Sequence, residues 1–264
     1  MERKTTTMKM ISFCNNKGGV GKTTLCKNVA YKFALDGAKV LLIDLDPQAT
    51  LSTQLATSEV DTKKSLIKII GALDMVDLKK LIQTTNTSNV DIIIGNHELN
   101  KASALINSLF NEKDRNLIAT DIYKLNEDTL NSYDYVLIDY PPTIQELAIS
   151  FLLISDLIVS PVSSGNAGCK GLLDLRNLLN KLCREYNFNV PSLKVIINDV
   201  NENDNLDNIK NWLKNENFEK NVSDIIIKKS EIFPRTENSF ISIWDNNVYW
   251  RQKQAYEELI KEIK

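Results

Sequence analysis

A strand-length apolar run, "MISFC" (10–14), passes directly into "NNKGGVGKTT" (15–24) and then into a helical stretch, and this succession leaves few folds open. Residues 23–36 place Leu25, Val29, Ala30 and Phe33 on one helical face, and Gly37 stops the helix. Strand, glycine loop and helix in that order aim a row of backbone N–H groups and a helix N-terminus at one point, which is an anion site. Gly18, Gly19 and Gly21 let the backbone approach phosphate oxygens with no Cβ in the way. Lys22 is then placed to bridge the β- and γ-phosphates of a nucleotide, and the Thr23 hydroxyl to ligate Mg²⁺. Thr24, one step on, is placed to donate to the α-phosphate. A second lysine, Lys17, precedes the glycines, and the phosphate grip alone does not explain it.

Five further Ile- and Val-rich runs follow: "KVLLID" (39–44), "VDIIIG" (90–95), "YDYVLID" (133–139), "DLIVSPV" (156–162) and "LKVIIND" (193–199). Most are continuous rather than alternating, as suits strands covered on both faces. Residues 65–82, 117–130, 143–154 and 169–185 read as helices between them. Strands alternating with helices predict βαβ units and a doubly wound, mostly parallel α/β sheet with helices on both faces. The chain has no internal repeat, no Pro- or Gly-rich linker and no composition break, so one domain over 1–264 is expected. The Asn/Asp-rich "NDVNENDNLDN" (198–208) reads as a solvated loop leading into a helix.

Composition narrows the chemistry. His97 is the only histidine, which disfavours histidine-based metal or triad sites. Cys14, Cys26, Cys169 and Cys183 form no C-x-x-C pair and read as reduced core thiols. Lys and Arg number 32 against 34 Asp and Glu, so any nucleic-acid contact must be a local patch. No run reaches the roughly 18 apolar residues that span a bilayer, and "MERKTTTMKM" has no apolar core of a secretion signal. A cytoplasmic protein is expected.

The glycine loop departs from G-x-x-x-x-G-K-[ST] because Asn16 stands at the first glycine position and the loop offers "KGG" instead. On this loop the chain resembles the ParA/Soj-type partition ATPases of the ParA/MinD deviant P-loop family. "VLLIDLDPQAT" (40–50), "VDIIIGNHELNKA" (90–102), "YDYVLIDYPPT" (133–143), "LLISDLIVSPV" (152–162), "IFPRTENSF" (232–240) and "AYEELIKEI" (255–263) carry the resemblance nearly end to end. It implies an ATPase using ATP and Mg²⁺, with Lys17, Gly18, Gly19, Val20, Gly21, Lys22, Thr23 and Thr24 holding nucleotide. Asp139 would hold the metal through a water and Asp46 would position the attacking water. Asp44 would belong to the metal network or stand behind it. Asn198 aligns with a position whose amide reads adenine, and Pro234 would pack beside the base. Lys17 would reach across a twofold axis to the partner's phosphates, so that nucleotide state and dimerisation form one equilibrium.

The same resemblance implies non-specific DNA binding by the ATP dimer, a ParB-type centromere-binding partner, nucleoid association when ATP is bound, and a role in plasmid or chromosome segregation. Lys228, Lys229, Arg235 and Arg251 are the candidate DNA contacts; with Lys253 they give residues 228–254 five basic against three acidic groups. The alternatives are a MinD-like or cargo-positioning ATPase and a nucleotide-switched scaffold with negligible turnover. The ending "WRQKQAYEELIKEIK" is amphipathic but carries Glu257, Glu258 and Glu262, so a docked terminal helix is expected rather than a membrane anchor. About nine residues precede the first strand, too few for a helix-turn-helix domain.

Overall fold

Buried residues alternate between two layers along the central strands, and this alternation organises the molecule. The computed structural model describes residues 8–55, 61, 63–71, 77–163, 166–201, 204, 206–237, 242–245 and 247–264. On β1 (Lys9–Phe13), Met10 packs to one side, and Ile11 and Phe13 to the other. On β2 (Val40–Asp44), Val40 and Leu42 join Ile11 and Phe13, while Leu41 and Ile43 face Met10. Side chains of period two thus feed cores on both faces.

The remaining strands are β3 (Gln83–Thr84), β4 (Val90–Ile93), β5 (Tyr135–Asp139), β6 (Leu157–Val162), β7 (Ser192–Val200) and β8 (Val222–Lys228). Their order in one sheet is β3-β4-β2-β5-β1-β6-β7-β8. Every neighbouring pair is parallel except β3 with β4. The helices are α1 (Lys22–Leu35), α2 (Thr50–Leu55), α3 (Ile67–Ile70), α4 (Ala102–Leu109), α5 (Ile118–Leu125), α6 (Glu127–Leu130), α7 (Glu146–Leu153), α8 (Asn166–Tyr186), α9 (Leu206–Asn215), α10 (Ile232–Glu237) and α11 (Trp250–Ile263). α1 and α11 cover one face through Leu25, Val29, Phe33, Tyr256, Leu259 and Ile263, and α5, α7 and part of α8 cover the other. α11 therefore spends its apolar face in the core, as a docked helix does.

Several expected elements differ. The single helix over 65–82 is not formed: α3 ends at Ile70, and a 3₁₀ turn follows at Leu78–Lys80, capped by Asp77 accepting from the Lys79 amide; residues 72–76 lie outside the described residues. The helix over 117–130 breaks at Asn126, whose Oδ1 accepts from the Leu78 amide and whose Nδ2 donates to the Ile122 carbonyl. Those side-chain bonds replace a helical turn. The helix expected from 143 begins at Glu146, since Gln145 is extended. The loop expected from 198 starts later, because β7 runs to Val200. Pro234 and Arg235 lie inside α10.

Among the described residues no helix is long and apolar enough to cross a membrane. All four cysteines are free and buried.

Candidate functional site

The carboxyl ends of β2, β5, β1 and β7 converge on one crevice, the place where parallel sheets bind ligands. β1 delivers the glycine loop, and α1 begins at its end. Gly19 (φ 74°) and Gly21 (φ 92°) both lie in the left-handed region that side chains avoid, and Gly21 precedes the first residue of α1. The loop is pinned from β7: buried Asn198 donates through Nδ2 to the Val20 carbonyl at 2.8 Å. The packing is tight enough that a Cβ on Gly21 would stand 2.3 Å from that nitrogen.

Lys22 is buried, and its Nζ donates to the Lys17 carbonyl at 2.8 Å, so the loop closes on its own cation. Burial pushes the Lys22 ammonium below its ordinary value, opposed by the neighbouring Asp139 and Asp46. The Thr23 hydroxyl donates to Asp139 Oδ2 at 2.7 Å. Asp139 is fully buried, and its Oδ1 has no hydrogen-bond partner among the described residues. Burial first, and then the neighbouring Asp44, drive its carboxyl well above the ordinary range.

Asp44, paired in register with Asp139, is equally buried. Its Oδ1 accepts from the Asp46 amide at 3.0 Å, and its Oδ2 from the Ser52 amide and hydroxyl at 2.9 and 2.6 Å. Burial lifts it to about 6 against those hydrogen bonds. Both its oxygens are engaged, so Asp44 shapes the segment from Asp46 to Ser52. Asp46 itself is half-buried, accepts from the Gln48 amide at 2.9 Å and lines the crevice.

The crevice is a cavity of about 550 Å³. Gly18, Gly19, Gly21, Lys22, Thr23, Thr24 and Asp46 line it together with Asn198, Asp199, Lys229, Phe233 and Pro234. Asn198 and Pro234 are thereby brought to the same cavity as the loop. Lys229, grouped by sequence with the DNA contacts, lines it too. Lys228, Arg235 and Arg251 are exposed; Arg235 pairs with Glu231 at 3.0 Å, and the Arg251 guanidinium lies 5.3 Å from the Trp250 ring centre. Lys17 is exposed, makes no ion pair among the described residues and stands outside the cavity lining. The sequence reading missed Ser52, Phe233 and Asn15; Asn15, which opens the loop, is fully buried.

Residues 8–192 match a family model described as an AAA domain. The sporulation initiation inhibitor protein Soj of Bacillus subtilis is 30% identical over 198 residues, covering 75% of this chain and 75% of Soj. The ATP complex of a McdA variant from Cyanothece aligns with a TM-score of 0.82 at 22% identity, over 97% of this chain and 96% of that one. A plasmid partition protein of Borrelia burgdorferi bound to AMPPNP aligns at 0.75 and 23% identity, over 97% and 99%. At those identities the two structures speak to the fold alone.

Proposed function

Because the chain belongs to the ParA/Soj family of AAA-domain proteins, we propose that it is a Mg²⁺-dependent ATPase that pairs with a second copy across two bound ATP molecules. The observation that carries this reading is the division between its two lysines. Lys22 is buried against its own loop, whereas Lys17 is exposed and outside its own cavity. A cation in that position serves a neighbour better than itself.

Gly18, Gly19, Val20 and Gly21 would present backbone N–H groups to phosphate oxygens, and Lys22 would exchange the Lys17 carbonyl for them. Thr24 would donate to the α-phosphate. Two buried carboxylates side by side, one with an orphaned oxygen, fit a site that takes a cation. Thr23 and Asp139 would hold Mg²⁺ there, Asp139 through a water; the ion supplies neutralisation of phosphate charge. Asp46 would orient the attacking water, with Asp44 and Ser52 fixing the segment that carries it. Lys17 from the partner would add positive charge as the phosphoryl group leaves.

Phe233 and Pro234, which line the same cavity, would offer apolar surface to a base, and Lys229 a cation to the nucleotide. Asn198 acts on the nucleotide through the loop it pins. The resulting dimer would bind DNA through Lys228, Arg235 and Arg251, work with a centromere-binding partner that stimulates slow hydrolysis, and segregate plasmid or chromosomal DNA. The covered apolar face of α11 favours DNA over membrane as the surface it uses.

Sedimentation of wild type and Lys17→Ala with Mg-ATP, Mg-ADP and no nucleotide, with and without double-stranded DNA, tests the reading. Wild type should pair only with Mg-ATP and then sediment with DNA, and Lys17→Ala should stay single. A wild type that remains single at saturating Mg-ATP, or a Lys17→Ala that pairs as well, would contradict it.

A further inference from the structure

The first turns of α8 lie on the part of the phosphate loop that carries Lys17. Asn15 donates through Nδ2 to the Pro161 carbonyl on β6 at 2.8 Å and to the Gly168 carbonyl in α8 at 3.1 Å. Its Oδ1 is buried with no hydrogen-bond partner among the described residues and faces Gly171, one helical turn beyond Gly168. A Cβ on Gly171 would stand 2.3 Å from that oxygen, 3.1 Å from the Asn16 carbonyl carbon and 3.3 Å from the Lys17 amide nitrogen. No side chain fits there unless Asn15 moves. At Gly168 a Cβ would meet the Ser163 amide nitrogen at 3.3 Å. The tight contact is therefore with residues 15–17, and the loop's second half is held from elsewhere: Asn198 grips Val20, and Asp139 accepts from Thr23.

We propose that Asn15 and Gly171 are positioning residues for Lys17, and that the close seat of α8 on the loop sets the direction in which Lys17 leaves its own subunit. The inference rests on the reading of Lys17 as a cation lent to a partner and deepens it. A lysine stem is long and loses much rotamer freedom when its head is fixed, so a contact across an interface demands a rigid base. The bonds of Asn15 to β6 and α8 supply that base. Forcing a methyl group between α8 and Asn15 tilts the base but leaves the glycines that face the ligand in place.

The test compares full-length wild type, Gly171→Ala, Asn15→Ala and Lys17→Ala by analytical ultracentrifugation in Mg-ATP and by calorimetric titration with Mg-ADP, which reports the loop without pairing. The dimer dissociation constants of Gly171→Ala and Asn15→Ala should rise by about tenfold or more, while their Mg-ADP affinities stay within about threefold of wild type. Asn15→Ala adds no atom and keeps the test sharp should Gly171→Ala fold poorly. If both variants pair like wild type while Lys17→Ala does not, the positioning role is wrong and the lent-lysine reading stands. If Lys17→Ala pairs like wild type, that reading falls and takes the inference with it. Mg-ADP affinity lost in step with pairing would also overturn the inference, since α8 would then be supporting the whole loop.

Discussion

Replacing Asn198 with alanine separates two roles that the crevice geometry pulls apart. The side-chain nitrogen is 2.8 Å from the Val20 carbonyl in a buried setting, so truncation removes a hydrogen bond from that carbonyl. Such a loss costs about 1–3 kcal/mol. Whatever part of it the free loop recovers by relaxing must be returned when phosphate binds. The upper bound on the affinity loss is therefore about 5- to 150-fold, at 1.4 kcal/mol per decade. Because the bond acts on the loop, the loss should be the same for any base. Calorimetric titration of Mg-ADP and Mg-IDP into wild type and Asn198→Ala measures this, since IDP lacks the exocyclic amine of adenine. Both affinities should fall by the same factor. A selective loss of ADP binding, with IDP unchanged, would refute the loop-pinning argument and return Asn198 to reading adenine.

Lys229→Ala should weaken Mg-ADP binding and leave the salt dependence of DNA binding unchanged, whereas Lys228→Ala or Arg251→Ala should reduce the slope of log K against log salt by about 0.9 per lost phosphate contact. Filter binding across a salt series separates the two. Burial pushes the Glu146 carboxyl up, but hydrogen bonds from Ser103 at 2.5 Å and Asn107 at 2.8 Å outweigh it and hold the group below its ordinary value. A carboxylate with a lowered folded value adds stability above its unfolded value and loses it as pH falls through the folded one. Wild type should therefore lose more stability than Glu146→Gln on acidification below the ordinary Glu range, by less than about 1 kcal/mol for so exposed a group. Thermal melts at stepped pH check the sign.

The six strands from β1 and β2 through β4, β5, β6 and β7 were legible because each is a continuous apolar run, the mark of a strand covered on both faces. β8 was not. Its residues Val222–Lys228 are buried only in part and it sits at the sheet edge, so its pattern is diluted. That omission had a consequence for the site. The carboxyl ends of parallel strands border the crevice, and Lys229 follows the end of β8. Read without the strand, the lysine looks like one more basic residue on a DNA-facing surface; read with it, the lysine belongs to the cavity.

The helix expected over 65–82 failed for a different reason. Leu66, Ile69, Ile70, Leu78 and Leu81 all enter one core, but from separate short pieces whose burial imitates a helical period. The loop between β1 and α1 was legible because its glycines, lysine and threonines are local in sequence. The grip of Asn15 on β6 and α8 was not, since its partners lie about 150 residues away along the chain and only the fold brings them together.

The central claim is that one site is built from two chains, and subunit mixing tests it most directly. Lys17→Ala and Asp46→Ala should each release little phosphate alone. A mixed dimer, however, holds one site with an intact Lys22, an intact Asp46 and a lysine lent from the other chain. An equal mixture should release more phosphate than the two variants summed, up to about a quarter of wild-type turnover. Random pairing would make half the dimers mixed and half their sites complete, and the missing lysine weakens pairing below that. Phosphate release from the mixture that never exceeds the sum of the two variants would contradict the account.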